Sequence, residues 1–237
     1  MYLLYRFLLL AYTMTVLVLS IVYFDHNKQA TWLVFLTHWS YSMLTAHLLV
    51  ATVISLVHVL HDSSGIRIAV NRGDRGIISQ RMSKPFYMKL SWLLFVIASG
   101  SAFMVTCIYF GAVFPQRGVG YLNVEDINLH IMNSVVIILE FIIAALPVRL
   151  LHGVYLFVFG LMYIVFSVIY WSFDHRRVIY PHVLDWNFPG RTMIYMLLVG
   201  FVFIPLLQSF LFGLYSLRRF IYRRIHFRRS TGVHYSG

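Results

Sequence analysis

A threonine and a histidine are the residues of this 237-residue chain best suited to covalent chemistry. Thr37 lies in the stretch "VFLTHWSYSMLTAH" and His130 in "INLHIMNSVVIILE", both inside long apolar runs. A hydroxyl beside an imidazole is the minimum for an activated oxygen nucleophile, because the ring can take the hydroxyl proton near neutral pH. Other polar residues share these segments. His130, Asn133, Ser134 and Ile137 recur at i, i+3, i+4, i+7 and so fall on one helical face. Glu140 continues that face about two turns further on. Polar groups of this kind are costly in hydrocarbon, so Glu140 and Ser134 are expected to face inward as a polar network between helices. His38 and His47 suit the same packing role. No metal site is expected. The chain has 11 histidines but no H-x-x-x-H or H-E-x-x-H pair on an apolar run, and His58 and His61 belong to the opposite end of theirs. No cofactor motif is visible either. Cys107 is the sole cysteine, which excludes an intrachain disulfide and suits a small packing residue.

What must position these residues is a membrane domain. The chain is 60% hydrophobic and 11% charged, with a mean hydropathy of +0.77. A soluble domain carries about 25% charged residues, so the bilayer is the solvent to assume. Six apolar runs stand out, at roughly residues 3–24, 32–60, 90–114, 127–145, 154–173 and 192–217. Each reaches the length of about 20 residues that a helix needs to cross the hydrocarbon core. The short alternating segments of a barrel are missing, and backbone in lipid must satisfy its own hydrogen bonds. The expected fold is therefore an all-α, six-span bundle over residues 1–217, followed by a basic cytoplasmic tail, 218–237. The first run reads as a retained signal anchor, being too long for a cleaved signal core and lacking a small-residue cleavage site.

Charge sets the orientation. With six spans, 14 of the 19 Lys and Arg residues fall on the side of the termini: Arg6, six between residues 61 and 89, Arg149, and six in the tail. The positive-inside bias then places both termini in the cytoplasm. The segment "GIRIAVNRGDRGIISQRMSK" reads as a flexible cytoplasmic connection. In the tail, "RRFIYRRIHFRR" interleaves Arg pairs with Phe, Ile and Tyr, which suits anionic lipid. The net charge of +11 does not imply nucleic acid, since the basic residues flank helix ends and no reading motif is present. With this orientation Thr37 and His38, His130, and the loop "DHRRVIYPHVLDWNFPGR" with Asp174, His175, His182, Asp185 and Trp186 all converge on the outer leaflet.

Three blocks carry a resemblance to a known family: "FLTHWSYSMLTAHLL", "HIMNSVVIILEFIIAALPVRLLHGVYLFVFGLMYIVFSVIYW" and "IYPHVLDWNFPGRT". They look like the rolling stone family of multi-pass membrane proteins, from the second span to the end of the sixth. The resemblance implies a role in membrane organisation or cell fusion, of myoblasts in insects. More distantly, the chain is similar to the androgen-induced and androgen-dependent membrane hydrolases. Those cleave fatty acid esters of hydroxy fatty acids with a threonine nucleophile and a later histidine. The alternative implied is thus an intramembrane lipid-ester hydrolase with Thr37 as nucleophile and His130 as base. His38, Asn133 and Asp185 would support substrate or oxyanion. Asn133 stands where those hydrolases carry a second histidine, and Tyr180, Pro181, Pro189 and Gly190 match their loop. A lipid ester is the substrate expected under that alternative. The expected location is the plasma membrane or endoplasmic reticulum, with the oligomeric state left open.

The charge split generates a test. Epitope tags on either terminus should be invisible to antibody in intact cells and visible after permeabilisation. Surface staining of an intact cell through either tag would contradict the assigned orientation.

Overall fold

The computed structural model describes residues 2–24, 29–63, 85–116, 120–144, 146–181 and 183–231. The basic connection read from the sequence, residues 65–84, and His182 lie outside these residues. Six helices are long and apolar enough to cross a membrane: span one Tyr2–Val22, span two Leu36–Leu60, span three Phe86–Gln116, span four Val124–Ile143, span five Leu150–Phe173 and span six Pro189–Ile225. Among the described residues there is no strand, only an isolated bridge between Tyr180 and Leu184. Span three starts earlier than hydropathy suggested because "FYMK" is helical although half polar. Span six likewise continues as one helix into the basic segment, to Thr231, with Phe220, Ile221 and Tyr222 exposed along it.

Span three is the axis of the bundle. It packs against spans two, four, five and six, while span one lies against span two. Its middle reads "ASGSA", and these small residues are all buried. Small side chains let helix backbones approach where lipid offers no hydrophobic drive to association. Gly100 shows how close the approach is: a Cβ there would come within 2.6 Å of Leu156 Cδ2 on span five. Around this stripe Leu44, Leu48, Phe95, Ile137 and Leu211 complete the core. A polar ladder ties three spans at the same level. Asn133 Nδ2 donates to Ser40 Oγ (3.3 Å), and Ser40 Oγ donates to Ser101 Oγ (3.0 Å).

Near the end of the bundle that holds the termini, a buried ion pair joins span one to span four. Arg6 Nη1 donates to Glu140 Oε2 at 2.5 Å, and both side chains are almost wholly excluded from solvent. Tyr5 Oη donates to the other carboxylate oxygen (2.9 Å). His47 of span two brings Nε2 to 3.2 Å from Oε2, with its Nδ1 3.3 Å from the Ser91 carbonyl of span three. The remaining guanidinium donors turn to Tyr2 Oη. Glu140 and His47 thus face the bundle interior. Arg6, counted above only as an orientation charge, is buried and paired.

A charge left alone in such a site is strongly unfavourable, about 3–5 kcal/mol for removal of one partner. Glu140→Leu should therefore lower the thermal stability of the detergent-purified protein by that order, with Glu140→Gln milder. Arg6→Leu combined with Glu140→Leu should recover much of the loss, because no charge is then stranded. Wild-type stability in the single Glu140→Leu variant would refute the pairing.

Candidate functional site

At the opposite end of the bundle the backbone leaves regular helix in three places. A 3-10 turn, Gln29–Val34, precedes span two. A π turn, Tyr109–Val113, interrupts span three, and another, Ile127–Ile131, opens span four. Irregular backbone at membrane depth needs partners for its freed carbonyls. The polar residues that look out of place in the sequence supply them. His38 Nδ1 lies 2.5 Å from the Trp32 carbonyl, Trp39 Nε1 donates to the Leu33 carbonyl (2.6 Å), and Tyr163 Oη to the Val34 carbonyl (2.8 Å). The three carbonyls of the entry turn are thereby satisfied in succession. A carbonyl can only accept, so in the neutral His38 ring the proton sits on Nδ1 and Nε2 keeps its lone pair. The ring also stacks on Trp32, with centroids 4.3 Å apart. On span four the His130 carbonyl receives Thr106 Oγ1 (2.5 Å), which also meets Ser134 Oγ (2.8 Å). π turns concentrate at functional sites because they re-aim side chains. Here they carry Tyr109 and His130.

The two π turns and the first turn of span two border an open cavity of about 310 Å³ lined by Thr37, His38, Tyr109, Asp126, His130 and Tyr180, among others. Thr37 is partly buried and His130 buried. The His130 ring lies flat against Tyr109, with centroids 3.5 Å apart and planes within 6°. Tyr109 Oη donates to Asp126 Oδ1 at 2.5 Å. Asp126 is itself fixed by a reciprocal cap: its Oδ2 accepts the Asn123 N–H (3.1 Å), and its N–H donates to Asn123 Oδ1 (2.7 Å). Aspartate, tyrosine and imidazole thus form one buried assembly that orients the His130 ring. Across the cavity Tyr180 Oη accepts the Leu36 N–H (3.1 Å) at the start of span two, beside the Thr37 hydroxyl. Burial pushes the Tyr180 pKa up, so this hydroxyl keeps its proton at neutral pH.

Of the residues singled out from sequence, Thr37, His38 and His130 line this one cavity. Asn133 sits deeper, on the ladder to Ser40, and Ser134 meets Thr106. Asp185 belongs to the loop before span six. Its Oδ1 accepts from Asn187 N–H (3.0 Å) and Nδ2 (3.1 Å), and Arg191 stands 3.7 Å from Oδ2. Tyr109 and Asp126 escaped the sequence reading. The signal available was Asn123-x-x-Asp126, a capping pattern ahead of an apolar run, with His130 one turn beyond. Among the described residues no three His, Cys, Asp or Glu side chains gather to hold a metal ion. Chemically the cavity offers a threonine hydroxyl, two imidazoles, the carboxyl groups of Glu125 and Asp126, and the phenols of Tyr109 and Tyr180.

Tyr109→Phe keeps the ring stack but strips the Asp126 carboxylate of a donor. A buried acceptor left so costs about 1–3 kcal/mol. Thermal unfolding of that variant should show such a loss, and unchanged stability would contradict the Tyr109–Asp126 bond.

No solved structure matches this chain. "Protein rolling stone" of Drosophila melanogaster is 28% identical over 243 aligned positions, which cover 94% of this chain and 79% of that protein. The family model described as "Protein rolling stone" matches residues 1–234. With essentially the whole chain matched, from the first span through the basic end of the sixth, the protein belongs to the rolling stone family of multi-pass membrane proteins.

Proposed function

We propose that the cavity facing away from the termini is a lipid-ester hydrolase site, with Thr37 as nucleophile and His130 as base. The observation that supports this most is that Thr37 and His130, far apart in sequence, both line one cavity at a single end of a membrane bundle. Thr37 Oγ adds to the ester carbonyl carbon while His130 takes its proton. The imidazolium then protonates the leaving alkoxide, which departs as an alcohol and leaves the acyl group on Thr37. Water, deprotonated by the same ring, cleaves that acyl-threonine to a fatty acid and restores the hydroxyl. Tyr109, held by Asp126, keeps the ring in plane. Tyr180, whose Oη accepts the Leu36 N–H, lines the same cavity, and its protonated hydroxyl would donate to the carbonyl oxygen of the ester. Asn133 and Asp185 contribute by holding spans two, three and four and the last loop around this site.

A second reading follows from family membership over residues 1–234. In it the protein is a non-catalytic component of membrane organisation or cell fusion at the plasma membrane, and the polar clusters serve only to join helices. The exposed aromatic and basic face at the end of span six would then anchor the bundle to an anionic cytoplasmic leaflet.

Hydrolysis of a fatty acid ester of a hydroxy fatty acid by the purified protein separates the two. Thr37→Ala and His130→Ala should each lower kcat/KM by at least about a hundredfold. The double variant should cost little more, as residues acting as a unit are not additive. Both single variants should still purify as folded protein. Absence of turnover by well-folded wild type would leave the second reading.

A further inference from the structure

A second cavity, of about 250 Å³, opens between spans five and six on the same side of the molecule. Phe157, Gly160, Ile164, Met196 and Gly200 are among its lining residues. Tyr163 and Tyr180 also border it, but their hydroxyls turn away to the Val34 carbonyl and the Leu36 amide. What remains is a nearly pure hydrocarbon wall. The cavity exists for local reasons. Span six makes a third π turn, Val199–Phe203, beside it. Gly200 is pressed to Phe157, where a Cβ would come within 3.0 Å, whereas a Cβ at Gly160 would meet nothing within 4 Å.

Two observations identify the occupant. Leu161, Leu197 and Phe201 border the cavity and are also well exposed on the outside of the bundle, the surface that a bilayer covers. The opening therefore faces lipid chains. At its other end Tyr180 lines both this cavity and the polar one, and Leu36, also on the wall, immediately precedes Thr37. A hydrocarbon chain lying here would end at the Thr37 hydroxyl.

We propose that this cavity binds a single unbranched acyl chain, entering sideways from the bilayer between spans five and six, with its carbonyl end brought past Tyr180 to Thr37. The carbonyl placement rests on the hydrolase reading, while the chain site itself does not. Ligand pockets of this kind combine an apolar wall with a few placed polar groups, and here the two parts are divided by one tyrosine.

The test uses full-length protein in detergent and a photoactivatable palmitic acid, with the crosslinked residues mapped by peptide mass spectrometry. Labels should concentrate within residues 157–164 and 193–204. Excess palmitic acid should remove them and butyric acid should not. Gly160→Phe and Met196→Trp, which fill the cavity from either wall, should each reduce labelling at least about tenfold. Labels scattered over the lipid-facing surfaces of all spans would overturn the proposal. So would equal competition by butyric acid, or undiminished labelling in a folded cavity-filled variant; should neither variant fold, competition on wild type still decides. Focused, competable labelling by a protein without ester turnover would sink only the hydrolase reading. Turnover with scattered labelling would sink only the acyl-chain site.

Discussion

The fold depends on the ion pair between Arg6 and Glu140. Placing both charges out of water is costly, and the cost is tolerable only if each finds partners for its remaining hydrogen-bonding groups. Tyr2, Tyr5 and His47 supply them. The consequence is geometric. Span one carries little buried surface of its own, yet Arg6 cannot leave Glu140 without stranding a charge, so span one is held beside spans two and four. This clamp near one end leaves the other end free to depart from regular helix.

That other end obeys a second constraint, the requirement that every backbone group in hydrocarbon be paired. The entry turn of span two frees three carbonyls, and His38, Trp39 and Tyr163 take them. Much of the polar richness of "VFLTHWSYSMLTAH" is explained this way. Thr37 is different, since it lines the cavity, where its hydroxyl pairs with the Tyr180 side chain rather than with a carbonyl of the entry turn. Its neighbour His38 does both jobs, because the carbonyl that fixes its Nδ1 leaves Nε2 as an acceptor. The site is thus built from the same interactions that make an irregular helix entrance possible.

The sequence reading reached the six spans because hydropathy alone decides them: each run is long enough to cross and has no competing structure. Counting turns from one face of the membrane also put Thr37, His38 and His130 at a common depth, and all three line one cavity. Arg6 was legible only as a charge near a terminus, because its partner lies 134 residues away and a pair at that separation has no sequence signature. Tyr109 and Asp126 were hidden for another reason. π turns shift the register by which faces are counted, so the stack of Tyr109 on His130 does not follow from ideal helical spacing. The cavity between spans five and six was equally invisible, because a glycine facing a gap reads the same as a glycine facing a neighbour.

The central claim is that the cavity at the end of the bundle away from the termini turns Thr37 into a nucleophile through His130. The most direct measurement is the site of covalent attachment of a lipid-like fluorophosphonate, read by peptide mass spectrometry on the purified protein. Phosphorus on Thr37 Oγ in the wild type, lost in His130→Ala, is the result predicted here. An adduct on any other residue, labelling of Thr37 that survives loss of His130, or no adduct on folded protein would contradict it.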